Sequence, residues 1–143
     1  RPSLADFALY GQLRQFSLDP MPLRILHEDA PALEAWVLML DDAGGNEGQW
    51  QPELPWAQQV RRDLLQQIGD EYLPFLRANA TALKSGEKNV QLQIGGLPYA
   101  QEAFPYQGKC YEEILRRWQA LDVAAQKRIA PLLEETGCMP FLR

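Results

Sequence analysis

Hydrophobic positions recur along this chain mostly at the spacing of a helix, and once, briefly, at the spacing of a strand. From Asp6 to Phe16 the apolar residues Phe7, Ala8, Leu9, Tyr10, Leu13 and Phe16 fall on nearly every side of a helical wheel. A helix that is apolar all round is enclosed by its neighbours, so this one is expected as a central pillar. Its start is marked by Ser3-Leu4-Ala5-Asp6, a hydroxyl at the N-cap with a carboxylate three residues on. That is the capping-box pattern with Asp in place of Glu. Asp19-Pro20 and Pro22 are expected to end the helix, and a short helical turn is expected over Leu23 to Glu28. Pro31 then suits the first turn of another helix, where its missing N–H costs nothing. Leu33, Trp36, Val37 and Leu40 follow as one apolar stripe, stopped by Gly44-Gly45.

After a loop with Asn46, Gly48, Pro52 and Pro55, the longest helix begins near Trp56. Val60, Leu64, Ile68, Tyr72, Phe75, Leu76, Asn79 and Leu83 mark its inner face, and Arg61, Arg62, Gln66, Gln67, Asp70 and Glu71 its outer one. Pro74 predicts a kink near Asp70, and Gly86 a stop. Val90, Leu92 and Ile94 alternate with Gln91 and Gln93, then Gly95-Gly96 and Leu97-Pro98-Tyr99 follow: a hairpin over about 89–101. A helix from Tyr106 to about Ala120 is expected to turn Cys110, Ile114, Trp118 and Leu121 inward. Asp122 caps a last helical segment, interrupted at Pro131 and ended by Gly137. The fold class is mainly all-α, a helical bundle with one small hairpin, and 1–143 is read as a single helical domain.

Composition narrows the function classes. The 143 residues are 46% hydrophobic and 23% charged, near the average of globular proteins, with a net charge of -5. Nucleic acid is a poor partner for that balance, because neutralising phosphates takes clustered Lys and Arg. Arg61-Arg62 and Arg116-Arg117 are isolated pairs among acids. With one histidine and two cysteines, His27, Cys110 and Cys138, a metal site is not expected. So few cysteines suggest free thiols and an intracellular, cytoplasmic protein. No apolar run approaches the roughly 20 residues of a membrane-spanning helix. The opening Arg1-Pro2, with no initiator Met, suggests part of a longer protein.

The first forty residues resemble the C-terminal domain of glutathione transferases. Pro2-Ser3-Leu4-Ala5-Asp6-Phe7, with Ala30-Pro31-Ala32-Leu33-Glu34-Ala35-Trp36 about 25 residues later, is similar to two motifs of that family. There, a Ser/Thr-x-x-Asp capping box opens the buried sixth helix and Pro-x-Leu-x-x-Trp the seventh. Ser3 and Asp6 match the first pair, and Pro31, Leu33 and Trp36 the second. The later part resembles an extended bacterial branch of the family, with the Gly-Gly hairpin and Tyr106-Gln107-Gly108-Lys109-Cys110 as departures from the ordinary domain. The resemblance implies a parent protein that conjugates glutathione, or exchanges thiols with it, on a small hydrophobic or electrophilic substrate. It also implies glutathione as cosubstrate, a thioredoxin-like N-terminal domain as partner, and a homodimer contact. On this reading the present chain holds no catalytic residue. The other function class is a transferase-like binding or interaction module without turnover.

The candidate residues follow from both lines. Tyr10 and Arg14, one helical turn apart, are substrate-pocket candidates facing the implied N-terminal domain, where an Arg suits a glutathione carboxylate. Asp6 is read as a cap rather than a catalytic carboxylate, Cys110 as an inert buried thiol, and Cys138 as the more exposed of the two. His27 is read as a surface or cap histidine. Trp36, Trp50, Trp56 and Trp118 are expected in packing, with Trp50 and Trp56 also candidates for a contact surface. Asn79-Ala80-Thr81 matches a glycosylation acceptor by chance.

Overall fold

The computed structural model describes residues 2–45, 47–49 and 54–143. The chain is mainly helical with one small antiparallel hairpin. It falls into two compact units, Arg1–Pro52 and Glu53–Arg143, where the sequence reading took 1–143 as one domain. Trp50, Asn46 and Pro52 lie outside the described residues.

The first unit holds α1 (Leu4–Phe16), α2 (Pro20–Asp29) and α3 (Pro31–Asp41). The capping box on α1 forms in both directions. Asp6 N–H donates to Ser3 Oγ at 3.2 Å, and Ser3 N–H donates back to the Asp6 carboxylate at 2.6 Å. Those bonds hold the Asp6 carboxyl below its ordinary range: the Ser3 hydroxyl contributes most, then the Ser3 N–H. Asp19 and Pro20 begin a helix rather than only ending one. The Asp19 carboxylate accepts from Met21 N–H, and Pro20 takes the first helical position, so the expected short turn is a full α2. Val37 and Leu40 of α3 are buried with Leu26 and Ala43, and Leu33 and Trp36 are half-buried.

The central-pillar expectation for α1 is corrected. No residue of α1 is buried, and Leu4 and Leu9 keep 73% and 55% of their surface in solvent. The all-round apolar pattern required cover on every side, whereas α2 and α3 leave most of this helix bare.

The second unit runs α4 (Pro55–Gln67), a π-helical turn (Ile68–Tyr72), α5 (Leu73–Ser85), β1 (Asn89–Ile94), β2 (Leu97–Glu102), α6 (Pro105–Ala120) and α7 (Val123–Glu135). A short 3-10 turn, Met139–Phe141, follows. The irregularity expected from Pro74 is thus a π turn, one of the few ways a helix absorbs a break in its hydrogen-bond ladder. Gly69 sits within it, facing the backbone of Thr136 and Gly137 so closely that a Cβ would collide with the Thr136 carbonyl. Gly86 closes α5 in the left-handed conformation, φ 74°. The hairpin pairs Asn89 with Glu102 through to Ile94 with Leu97, and the positive φ of Gly95 and Gly96 makes its turn.

The core of this unit is Phe75, Leu76, Ala80 and Tyr111, with Leu92, Ile94, Ile114 and Leu115 packed against it. Gly108 lets α6 approach α5, since a Cβ there would press on Leu83. The inward stripe of α6 is consequently Gly108 and Tyr111, with Cys110, Ile114 and Trp118 only half-buried and Leu121 exposed. Asn79 is completely buried, and its amide clamps the backbone of Phe104: Nδ2 donates to the carbonyl at 3.0 Å and Oδ1 accepts from the N–H at 2.8 Å. Burial and both bonds close this asparagine to glycosylation. Asp122 caps α7 through Ala125 N–H, and Pro131 is accommodated inside the helix instead of interrupting it. Tyr111 Oη donates to the Phe141 carbonyl at 2.7 Å, and the Arg77 guanidinium lies 4.4 Å from the Phe141 ring centre. These contacts tie the C-terminal turn to α5 and α6.

Candidate functional site

The stripe that begins on α4 continues through the π turn onto α5, but only its C-terminal part is covered. Phe75, Leu76 and Asn79 are buried, whereas Val60, Leu64, Ile68 and Tyr72 remain exposed. The hairpin stands across this bare half and converts it into an open groove of about 380 Å³. Leu64, Ile68 and Ile94 form its aliphatic wall, and Tyr72, Phe75 and Tyr99 its aromatic one, with Gln67 and Glu71 at the rim. The Phe75 and Tyr99 rings meet edge to face, 5.8 Å apart and at 85°, which fixes a right-angled corner.

Each side chain is placed by a local cause. Ile68, Glu71 and Tyr72 come from the π turn, a feature that recurs at functional sites because it widens the helix and redirects side chains. Ile94 and Tyr99 flank the Gly95-Gly96 turn on opposite strands. Glu71 Oε1 lies 3.7 Å from where a Cβ would stand on Gly95, so the carboxylate sits beside the hairpin tip. Tyr99 Oη donates to Gln101 at 2.8 Å. The Tyr72 phenol is pushed above its ordinary range, chiefly by burial and then by the neighbouring Cys110 and Tyr106, so it stays protonated at neutral pH.

The residues singled out from the sequence lie elsewhere. Tyr10 and Arg14 converge on one carboxylate, Asp41 at the end of α3. Tyr10 Oη donates to it, Arg14 Nε stands 3.5 Å away, and a second Arg14 nitrogen donates to Ser17 Oγ at 2.7 Å. The Tyr10 hydroxyl is held above its ordinary pKa by that bond to Asp41, above all other causes. His27 Nδ1 lies 2.9 Å from Glu34 Oε2 on the surface of the first unit. Cys138 reverses the expectation: it is buried, and its thiol donates to the Leu65 carbonyl at 3.2 Å, while Cys110 is the more accessible of the two. Trp56 is exposed, and Trp36 and Trp118 are half-buried.

Arg62, Arg116 and Arg117 of the basic pairs are engaged by acids. Arg116 and Arg117 share Glu113, whose carboxyl is lowered to about 2 by those two guanidinium contacts, Arg116 first. Arg62 pairs with Glu135 at 3.2 Å. Among the described residues no three His, Cys, Asp or Glu side chains are grouped to hold a metal ion, and no helix is long and apolar enough to cross a membrane.

Glu71, Ile94 and Tyr99 were not singled out as a site in the sequence. The available signal was the run Leu64, Ile68, Tyr72, Phe75, whose spacing gives a shared face but does not say that half of that face stays open. In comparisons with known proteins, the chain matches no family model, no curated protein and no solved structure.

Proposed function

We propose that this chain is the helical part of a glutathione transferase-like protein, contributing apolar substrate surface while a thioredoxin-like domain of the parent activates the glutathione thiol. The observation that carries the reading is the Ser3–Asp6 capping box, closed in both directions on a helix that α3, opened by Pro31, packs against. Both elements match the motifs that carry the resemblance, and the half-buried Leu33 and Trp36 fall where those motifs need inward residues. The family's sixth helix is buried whereas α1 is exposed here, so on this reading other parts of the parent cover it. On this reading the parent is a cytoplasmic enzyme, and glutathione is its cosubstrate rather than a ligand of this chain alone.

The test is calorimetric titration of glutathione into this chain and, in parallel, into the full-length parent. Binding by the full-length protein alone is the expected result. Tight binding by this chain alone, or binding by neither, overturns the reading. The second reading, an interaction module without turnover, is favoured by the open groove on the second unit, which needs no thiol chemistry to hold a ligand. It takes over if the full-length protein binds no glutathione.

A further inference from the structure

We infer that the groove lined by Ile68, Glu71, Tyr72, Phe75, Ile94 and Tyr99 binds a small organic cation, an ammonium group carried on an apolar or aromatic body. The inference rests on the groove and is independent of any glutathione chemistry.

Size sets the first limit. About 380 Å³ is at the small end of the roughly 300–1,000 Å³ that ligand pockets occupy, which admits a one-ring molecule. Charge sets the second. Glu71 is the sole formally charged side chain in the lining, and no hydrogen bond or ion pair engages it among the described residues. An anion entering the groove meets that carboxylate without compensation. A neutral apolar molecule gains nothing from it. A cation is the occupant that gains from it.

The aromatic wall points the same way. Three rings, Tyr72, Phe75 and Tyr99, border one small space, two of them at right angles. Ring faces attract a cation through their quadrupole, most strongly when water is displaced. Leu64, Ile68 and Ile94 then provide the surface for the body of the molecule. Tyr72 remains a neutral phenol at physiological pH, so Glu71 stays the one negative charge of the lining.

The experiment is an NMR titration of the chain with phenyltrimethylammonium, its carbon isostere tert-butylbenzene, and benzenesulfonate. Amide shifts confined to the π turn and the hairpin, with the ammonium compound binding tightest and the sulfonate weakest, are expected. In Glu71→Gln, an exposed substitution that leaves packing intact, the ammonium compound should bind about threefold more weakly, the scale of an exposed charge pair. Its carbon isostere should be unaffected. In Tyr72→Leu the ammonium compound should again lose about threefold, the scale of an exposed cation–π contact, with the isostere little changed. Absence of shifts with the ammonium compound overturns the proposal. So does equal binding of the isostere or the sulfonate, or a Glu71→Gln variant that binds the cation as well as the parent does.

Discussion

The two units use similar raw material differently. In Glu53–Arg143, α5, α6 and the hairpin enclose Leu76, and the polar groups buried in this unit are hydrogen-bonded. Asn79 is satisfied by Phe104, Thr136 Oγ1 donates to the Leu132 carbonyl at 2.8 Å, and the Cys138 thiol donates to Leu65. Among the described residues of Arg1–Pro52 the buried apolar set is Leu26, Val37, Leu40 and Ala43, while Leu4, Phe7, Leu9, Phe16 and Leu18 stay in solvent. The difference is geometric. Three short helices have too little surface among them to surround one that is apolar on every side, whereas a hairpin laid beside a helix pair adds a second layer of cover. Apolar content therefore does not measure how much core a segment makes.

The comparison is broken most directly by large-to-small substitutions. Leu76→Ala should destabilise the second unit by about 3 kcal/mol, since a completely buried leucine leaves a cavity that packed neighbours cannot fill. Phe7→Ala on the exposed face of α1 should change stability by no more than about 0.5 kcal/mol. Urea titration followed by amide exchange on α5 and α1 reads both. Equal losses in the two variants would mean that α1 is covered in solution and that the contrast is wrong.

A smaller effect sharpens the point about sealed polar groups. Asn79→Ala removes both partners of the Phe104 backbone and should cost about 2 kcal/mol, the penalty of leaving buried donors and acceptors unmade. Thermal unfolding of the variant should show it, with α6 losing exchange protection from its N-terminal end first. Protection lost uniformly would show that the clamp does not position that helix end.

The smallest effect tests what holds the first unit together when core is scarce. Ser3→Ala should cost about 1 kcal/mol through the lost cap. It should also change the pH response. The Asp6 carboxyl is lowered in the folded state, so its contribution is complete above its unfolded pKa of about 3.9 and is lost as pH falls through the lower folded value. The difference between the parent and Ser3→Ala should therefore narrow in acid below about pH 4 in stability curves. A constant difference down to pH 2 would show that the carboxylate is not part of the cap.

How much of this was legible follows the range of each interaction. The caps at Ser3, Asp122 and Gly86, the helix opened by Pro31 and the hairpin around Gly95-Gly96 all appear where the sequence puts them. Each is settled within a few residues: a side-chain cap at Ser3 and Asp122, a left-handed glycine at Gly86 and in the Gly95-Gly96 turn, and the fixed φ of Pro31. Asp19-Pro20 misled because the same two residues serve as a stop or as an N-cap with proline at the first position. The distinction depends on whether the following segment finds a partner, which α2 does in α3. For the candidate site, the sequence supplied the stripe from Leu64 to Phe75 and missed Glu71, Ile94 and Tyr99 as its company. Tyr10 and Arg14 were legible as neighbours on one helix, but Asp41, 31 residues from Tyr10, was not.

By itself the sequence determined the caps at Ser3, Asp122 and Gly86, where the chain reverses at Gly95-Gly96, and which residues share a helical face, because those outcomes are settled within one or two turns of backbone. Only the tertiary structure decided which faces are covered: that α1 stays open, that Cys138 is sealed and Cys110 is not, and that half of the α4–α5 stripe becomes a groove. Burial is a property of what arrives from distant parts of the chain. Gly69 against Thr136 and Asn79 against Phe104 show how specific those arrivals are, and no local periodicity records them.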